Sequence, residues 1–195
     1  MLQERLKDYA LILASGSPRR QQFFRELGLD FEIRLRPVEE KHPAQLKGPE
    51  IPYYLAQLKA TAFNGELKPN EILITSDTVV WHNEKSLAKP VNTAAAFAML
   101  KTLSGDWHEV ITSVCFTTTS KQRIVTETTR VKFKKLTDEE IQFYVNTYEP
   151  FDKAGGYGIQ DWIGLIAIKK IKGSYTNVVG LPTHLVYKTL TDMVG

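Results

Sequence analysis

Two hydroxyls and two guanidinium groups crowd one short stretch near the N-terminus, Leu11-Ile-Leu-Ala-Ser15-Gly-Ser17-Pro-Arg19-Arg20. It reads as a buried strand, a small-residue turn and the start of a helix. Ser17 falls at the N-cap and Pro18 at the first helical position, where a missing N–H costs nothing. Arg19 and Arg20 then place two cations in a first turn that the helix dipole already makes positive. An anion bound there removes the conflict, since free backbone N–H groups, Ser15, Ser17 and two guanidinium forks together make a phosphate site. The alternative is that both arginines extend into solvent. A second charge stands in Glu71-Ile-Leu-Ile-Thr-Ser76-Asp77-Thr78-Val-Val-Trp81, an apolar, β-branched run with a carboxylate near its middle. A lone carboxylate there is costly unless paired or coordinated. Asp77 therefore marks either a break at the end of a sheet or a place where a cation is held. A third stretch, Asp152-Lys153-Ala-Gly155-Gly156-Tyr157-Gly158-Ile-Gln160, carries three glycines in four residues. These permit close approach of a ligand, or equally a tight connection between helix and strand.

The elements that must position these residues follow from periodicity. Phe23, Phe24 and Leu27 mark the inward face of the first helix, which Gly28 ends. Phe31–Leu35 reads as a strand, and Pro37–Pro43 as a surface loop in which Glu39 and Glu40 are by default solvated. A helix over Pro52–Phe63 directs Leu55, Leu58 and Ala62 inward and leaves Lys59 beside that face. Trp81–Leu87 reads as a hairpin, after which Pro90 holds Lys89 extended at a loop edge. Asn92 or Thr93 caps a helix facing inward through Ala96, Phe97, Leu100 and Leu103. Trp107–Thr119 and Arg123–Lys134 alternate like the arms of a hairpin. Thr137-Asp-Glu-Glu140 is a capping box ahead of Ile141, Tyr144 and Val145. Gly164–Lys170 and Tyr175–Val179 read as two strands, and Pro182 starts a final helix through Leu185, Tyr187 and Leu190.

A chain of 195 residues with 43% hydrophobic and 24% charged residues is an ordinary globular protein, read as a single domain over 1–195 that can carry two lobes. The net charge of +3 gives no broad electrostatic footprint for nucleic acid or membrane, so any role of the basic residues is local. The single cysteine, Cys115, excludes an internal disulfide and fits a reducing compartment. Tyr9–Ala14 is too short for a membrane span or a signal-peptide core, which makes the cytoplasm the default location. His42, His82, His108 and His184 show no metal-ligand spacing, so no zinc site is expected.

In this order, Ala14-Ser-Gly-Ser-Pro-Arg-Arg20, Ser76-Asp-Thr-Val-Val80, Lys89-Pro90, Leu103-Ser-Gly105 with His108, Asp152-Lys-Ala-Gly155 with Tyr157-Gly-Ile-Gln160, and Gly173-Ser-Tyr175 with Asn177-Val-Val-Gly-Leu-Pro182 resemble the Maf family of nucleoside triphosphate pyrophosphatases. Several separate motifs at compatible spacing are far more specific than one glycine loop. The resemblance implies an α/β fold, with a mixed twisted sheet flanked by helices and two lobes around a deep cleft. It implies hydrolysis of a nucleotide between its α- and β-phosphates with Mg²⁺ or Mn²⁺, and it admits a homodimer. On this pattern the phosphate turn falls on Ser15, Ser17, Arg19 and Arg20, and the active-site acid on Asp77, with Glu40 as a second carboxylate and metal ligand. The cleft lysines fall on Lys59, Lys89 and Lys153. Arg19, Thr78 and Gln160 match the branch that acts on dTTP and UTP. Ala88 and Gly156 depart from the commonest residues of the pattern, as does Asp161, a frequent glycine position whose change can alter the base pocket. Two rivals remain at this point. A nucleotide- or RNA-binding regulator without catalysis should have lost Asp77 or Glu40, and an enzyme for a modified purine nucleotide fits poorly with Thr78 and Gln160.

Overall fold

The computed structural model describes all residues from Met1 to Gly195. It is a mixed α/β structure whose seven strands run in the order β2-β1-β3-β5-β6-β7, with β4 paired to β3. These strands are β1 (Ala10–Leu13), β2 (Phe31–Ile33), β3 (Glu71–His82), β4 (Lys85–Leu87), β5 (Trp107–Thr117), β6 (Gln122–Phe133) and β7 (Ile168–Lys172). β1 lies parallel to both β2 and β3, whereas β4 on β3 and β7 on β6 are antiparallel.

The chain divides into two compact units, the first formed by Met1–Asp77, Thr112–Glu127 and Gly180–Gly195, the second by Thr78–Ile111 and Thr128–Val179. In the first unit, α1 (Leu2–Arg5), α2 (Pro18–Glu26) and α8 (Thr183–Met193) contribute to a core with Leu13, Phe24, Ile74, Phe116, Val186 and Leu190. α3 (Glu50–Thr61) packs a separate cluster through Ala56 and Ala60 against Ile12, Leu73 and Cys115. Ser17 is the N-cap of α2 as expected, but its side chain makes no capping bond; its backbone N–H instead donates to Ser15 Oγ at 3.3 Å. The inward face of α3 is Ile51, Pro52, Leu55, Ala56 and Ala60, with Leu58 and Ala62 only half-buried, so the expected face is displaced around the helix.

The second unit packs α4 (Thr93–Leu103), α5 (Asp138–Tyr148) and α6 (Trp162–Ala167) around Leu100, Val131, Phe133, Tyr144, Tyr157 and Ile163. Asn92 caps α4 by accepting from Ala95 N–H at 2.8 Å, and Thr137 with Glu140 forms both halves of the capping box on α5. The reading of Gly164–Lys170 and Tyr175–Val179 as strands is corrected here. Trp162–Ala167 is the helix α6, the strand is Ile168–Lys172, and Tyr175–Val179 is the helix α7. Three contacts account for it. Gly164 lies against the Ile159 carbonyl, where a Cβ would come within 1.7 Å, so the chain turns back on itself there. Ser174 Oγ accepts from Asn177 N–H at 3.3 Å, and Asn177 Nδ2 donates to the Val110 carbonyl at 3.0 Å; this local capping and tertiary anchoring favour a helix over the β-branched preference of the segment.

Candidate active site

β1 ends at Leu13, and Ala14 N–H makes the last bond across to Ile74 O of β3. Alternation along β3 points the Ser76 carbonyl toward the same side, now past the end of β1. Two cations take the place of the missing strand: Arg20 Nη1 donates to Ser76 O at 3.3 Å, and Lys59 Nζ donates to it at 3.4 Å. Arg20 Nε also donates to Gly180 O at 2.9 Å, so the guanidinium is fixed by two backbone carbonyls. Its burial lowers its pKa from the usual arginine value; Asp77 opposes that shift, Arg19 adds to it, and Glu40 opposes it.

Lys59 is the centre of the cluster. Its ammonium lies 2.7 Å from Asp77 Oδ1 and 3.0 Å from Glu40 Oε1, and its side chain is largely buried. The lysine read as lying beside the inward face of its helix is thus turned onto β3, and the loop carboxylate Glu40 is brought to the same point as Asp77. Glu40 itself stays half-exposed, while Asp77 is 7% exposed in an unbroken strand. Burial pushes the Asp77 carboxyl above the ordinary carboxylate range, with the Lys59 charge and hydrogen bond and the Arg20 charge opposing, and Glu40 adding to the rise. Ser15 is buried, and Arg19 is half-buried in the first turn of α2. Residues 1–77 therefore assemble hydroxyls, a helix N-terminus, two anchored cations and two carboxylates, a set suited to phosphate oxygens and a polarised water. Two carboxylates meeting at one ammonium also fit a hard divalent cation, which takes one or two carboxylates and completes its shell with water and substrate phosphates. No group of three or more His, Cys, Asp or Glu side chains is placed to hold a metal by itself.

In the second unit, Thr78 follows Asp77 on β3, and Lys89 is exposed after β4. Gly155 and Gly156 both adopt φ of 71°, and a Cβ on Gly155 would come within 2.9 Å of Val80, so the turn lies flat on β3. Lys153 Nζ lies 2.6 Å from Asp152 Oδ1 and 3.8 Å from Asp161 Oδ2, and Gln160 is exposed. Behind the turn, the Tyr157 hydroxyl and His108 Nε2 are hydrogen-bonded at 2.7 Å; His108 is so buried that its pKa falls to about 3. Tyr144, expected only as a core residue, donates its hydroxyl to Asp161 Oδ2 at 2.8 Å and accepts from Gly158 N–H at 3.1 Å. Its helical spacing signalled burial, and nothing in the sequence told which polar group its hydroxyl would meet.

The family model described as "Maf-like protein" matches residues 10–193. A protein of Flavobacterium johnsoniae named dTTP/UTP pyrophosphatase is 59% identical over the full length of both chains. One of Christiangramia forsetii with the same name is 57% identical, again over both full lengths. Among solved structures, the Staphylococcus aureus Ham1 protein superposes with a TM-score of 0.54 at 14% identity, covering 94% of this chain and 99% of that one, a likeness of fold.

Proposed function

The chain belongs to the Maf-like protein family, and from that premise we propose that it hydrolyses dTTP and UTP to the monophosphate and pyrophosphate. The observation that carries this reading is the convergence of Arg20, Lys59, Asp77 and Glu40 at the end of β1. The N-terminal amides of α2, with Ser15, Ser17, Arg19 and Arg20, hold phosphate oxygens and stabilise the charge that gathers on the leaving pyrophosphate. Lys59, joined by Lys89 and Lys153 on the family pattern, moves from carboxylate to phosphate as substrate binds. Asp77 orients the attacking water and takes its proton on Oδ2, the oxygen that Lys59 does not engage, as the water attacks the α-phosphorus and the bond to the β-phosphate oxygen breaks. Asp77 and Glu40 are also the residues that would hold Mg²⁺ or Mn²⁺, which neutralises phosphate charge when bound.

Thr78 and Gln160 serve base choice, in keeping with relatives named for dTTP and UTP. Thymine and uracil present an N3–H between two carbonyls, and a glutamine amide can meet that edge. Cytosine has an unprotonated N3 and an amino group in place of one carbonyl. No helix is long and apolar enough to cross a membrane, and the buried free Cys115 fits a reducing cytoplasm. Gln160→Leu tests the assignment of the base. Its kcat/KM for dTTP and UTP should fall, and their advantage over dCTP should narrow by about tenfold. An unchanged ratio across the three substrates would remove Gln160 from base recognition.

A further inference from the structure

The turn that presents Gln160 carries a carboxylate with no part in the scheme above. A Cβ built on Gly158 would lie 2.6 Å from Asp161 Oδ2 and 2.9 Å from Gln160 Nε2, so the two side chains fold back over one point on the backbone. Asp161 is held from three directions. Tyr144 donates its hydroxyl to Oδ2 at 2.8 Å, Lys153 Nζ lies 3.8 Å from the same oxygen, and Asp161 N–H donates to Gly158 O at 3.0 Å. Tyr144 is itself fully buried and accepts from Gly158 N–H, which ties the position of the carboxylate to the backbone beneath Gln160.

An amide nitrogen only donates and an ionised carboxylate only accepts. With Asp161 fixed, the Gln160 amide has one favourable orientation, Nε2 toward the carboxylate and Oε1 away from it. The reverse would set two oxygens against each other. We infer that Asp161 is a positioning residue that locks the orientation of the Gln160 amide, so that Oε1 is presented as an acceptor and selects a base carrying an N3–H. A free glutamine could rotate its amide and offer Nε2 to the bare N3 of cytosine; the locked one cannot. The inference rests on the reading of Gln160 as the residue that meets the base.

The test compares kcat/KM for dTTP, UTP and dCTP in the wild type and in Asp161→Ala, Asp161→Asn, Tyr144→Phe and Gln160→Leu. Asp161→Ala should raise kcat/KM for dCTP and narrow the dTTP to dCTP ratio by about three- to tenfold. Asp161→Asn keeps an acceptor oxygen for Tyr144 and should retain most of the discrimination. Tyr144→Phe, which frees the carboxylate without emptying the core, should shift the ratio the same way as Asp161→Ala but less. If Asp161→Ala slowed all three substrates equally, or left the ratio alone while Gln160→Leu changed it, the lock would be wrong and the base reading would stand. If Gln160→Leu itself left the ratio alone, the base reading would fail and the lock with it.

Discussion

Asp77 shows how a costly residue is held in a sheet. Its carboxylate is buried in an unbroken strand, and the compensation comes from Lys59 at 2.7 Å and from the charge of the nearby Arg20. The compensation is incomplete, since burial still holds its pKa above the ordinary range. A carboxyl whose pKa is higher in the folded chain than in the unfolded one binds its proton more tightly when folded. Stability therefore falls as pH rises from the ordinary carboxylate value through the folded one, and the full cost stands above that window. Asp77→Asn should accordingly lose at least about a hundredfold in turnover while melting at the same or a higher temperature at neutral pH, the difference shrinking toward about pH 4. Kinetics and calorimetry on one preparation check both halves. Near-normal kcat with a lowered Tm at neutral pH would show that Asp77 does neither job. The sequence made Asp77 conspicuous because a charge in an apolar, β-branched run violates its own pattern. Lys59 and Glu40 broke no pattern, because a helix lysine and a loop glutamate are ordinary surface residues until α3 and the loop before it bring them to 3.0 Å from each other. The Ser76 carbonyl was invisible to any reading of side chains.

At the scale of elements, the regular pieces were legible where a local rule decides them. Asn92, the capping box at Thr137 and the β3–β4 hairpin, with Asn83 and Glu84 at positive φ, all follow from turn and cap chemistry. Gly164–Lys170 and Tyr175–Val179 were misread because apolar and β-branched residues recur in them, while their conformation is set by contacts with Ile159 and Val110 that lie outside these stretches. The turn from Gly155 to Asp161 depends on the same kind of support. His108, buried among Phe133 and Tyr157, braces its rear face. Its folded pKa of about 3 lies far below the ordinary 6.5, so between those values the unfolded chain takes up a proton that the folded chain refuses. Stability is then full above about pH 6.5 and should decline below it by up to about 1.4 kcal/mol per pH unit. Denaturant midpoints across pH 4.5 to 7.5 measure this, and His108→Gln should flatten the slope. An equally steep slope in His108→Gln would place the acid sensitivity in other groups.

For the whole molecule, the motif order along the chain carried more than any one motif, because the separate stretches had to match at compatible spacing over residues 14–182. Hydrophobic periodicity gave most of the separate strands and helices, and the mixed sheet came with the resemblance to the family. It could not show that the strands β3, β5 and β6 each run through two compact units with separate cores, since the boundaries fall inside strands and leave no linker in the sequence. In that division the Ser15–Arg20 turn, Lys59, Glu40 and Asp77 all lie in the first unit, and Lys153, Gln160 and Asp161 in the second. The central claim is that this set cleaves a nucleoside triphosphate between its α- and β-phosphates. Incubating the pure protein with dTTP and Mg²⁺ and separating the products by chromatography tests it directly. The account predicts dTMP and pyrophosphate in equal amounts, abolished by EDTA; dTDP with orthophosphate, or turnover undiminished by EDTA, would contradict it.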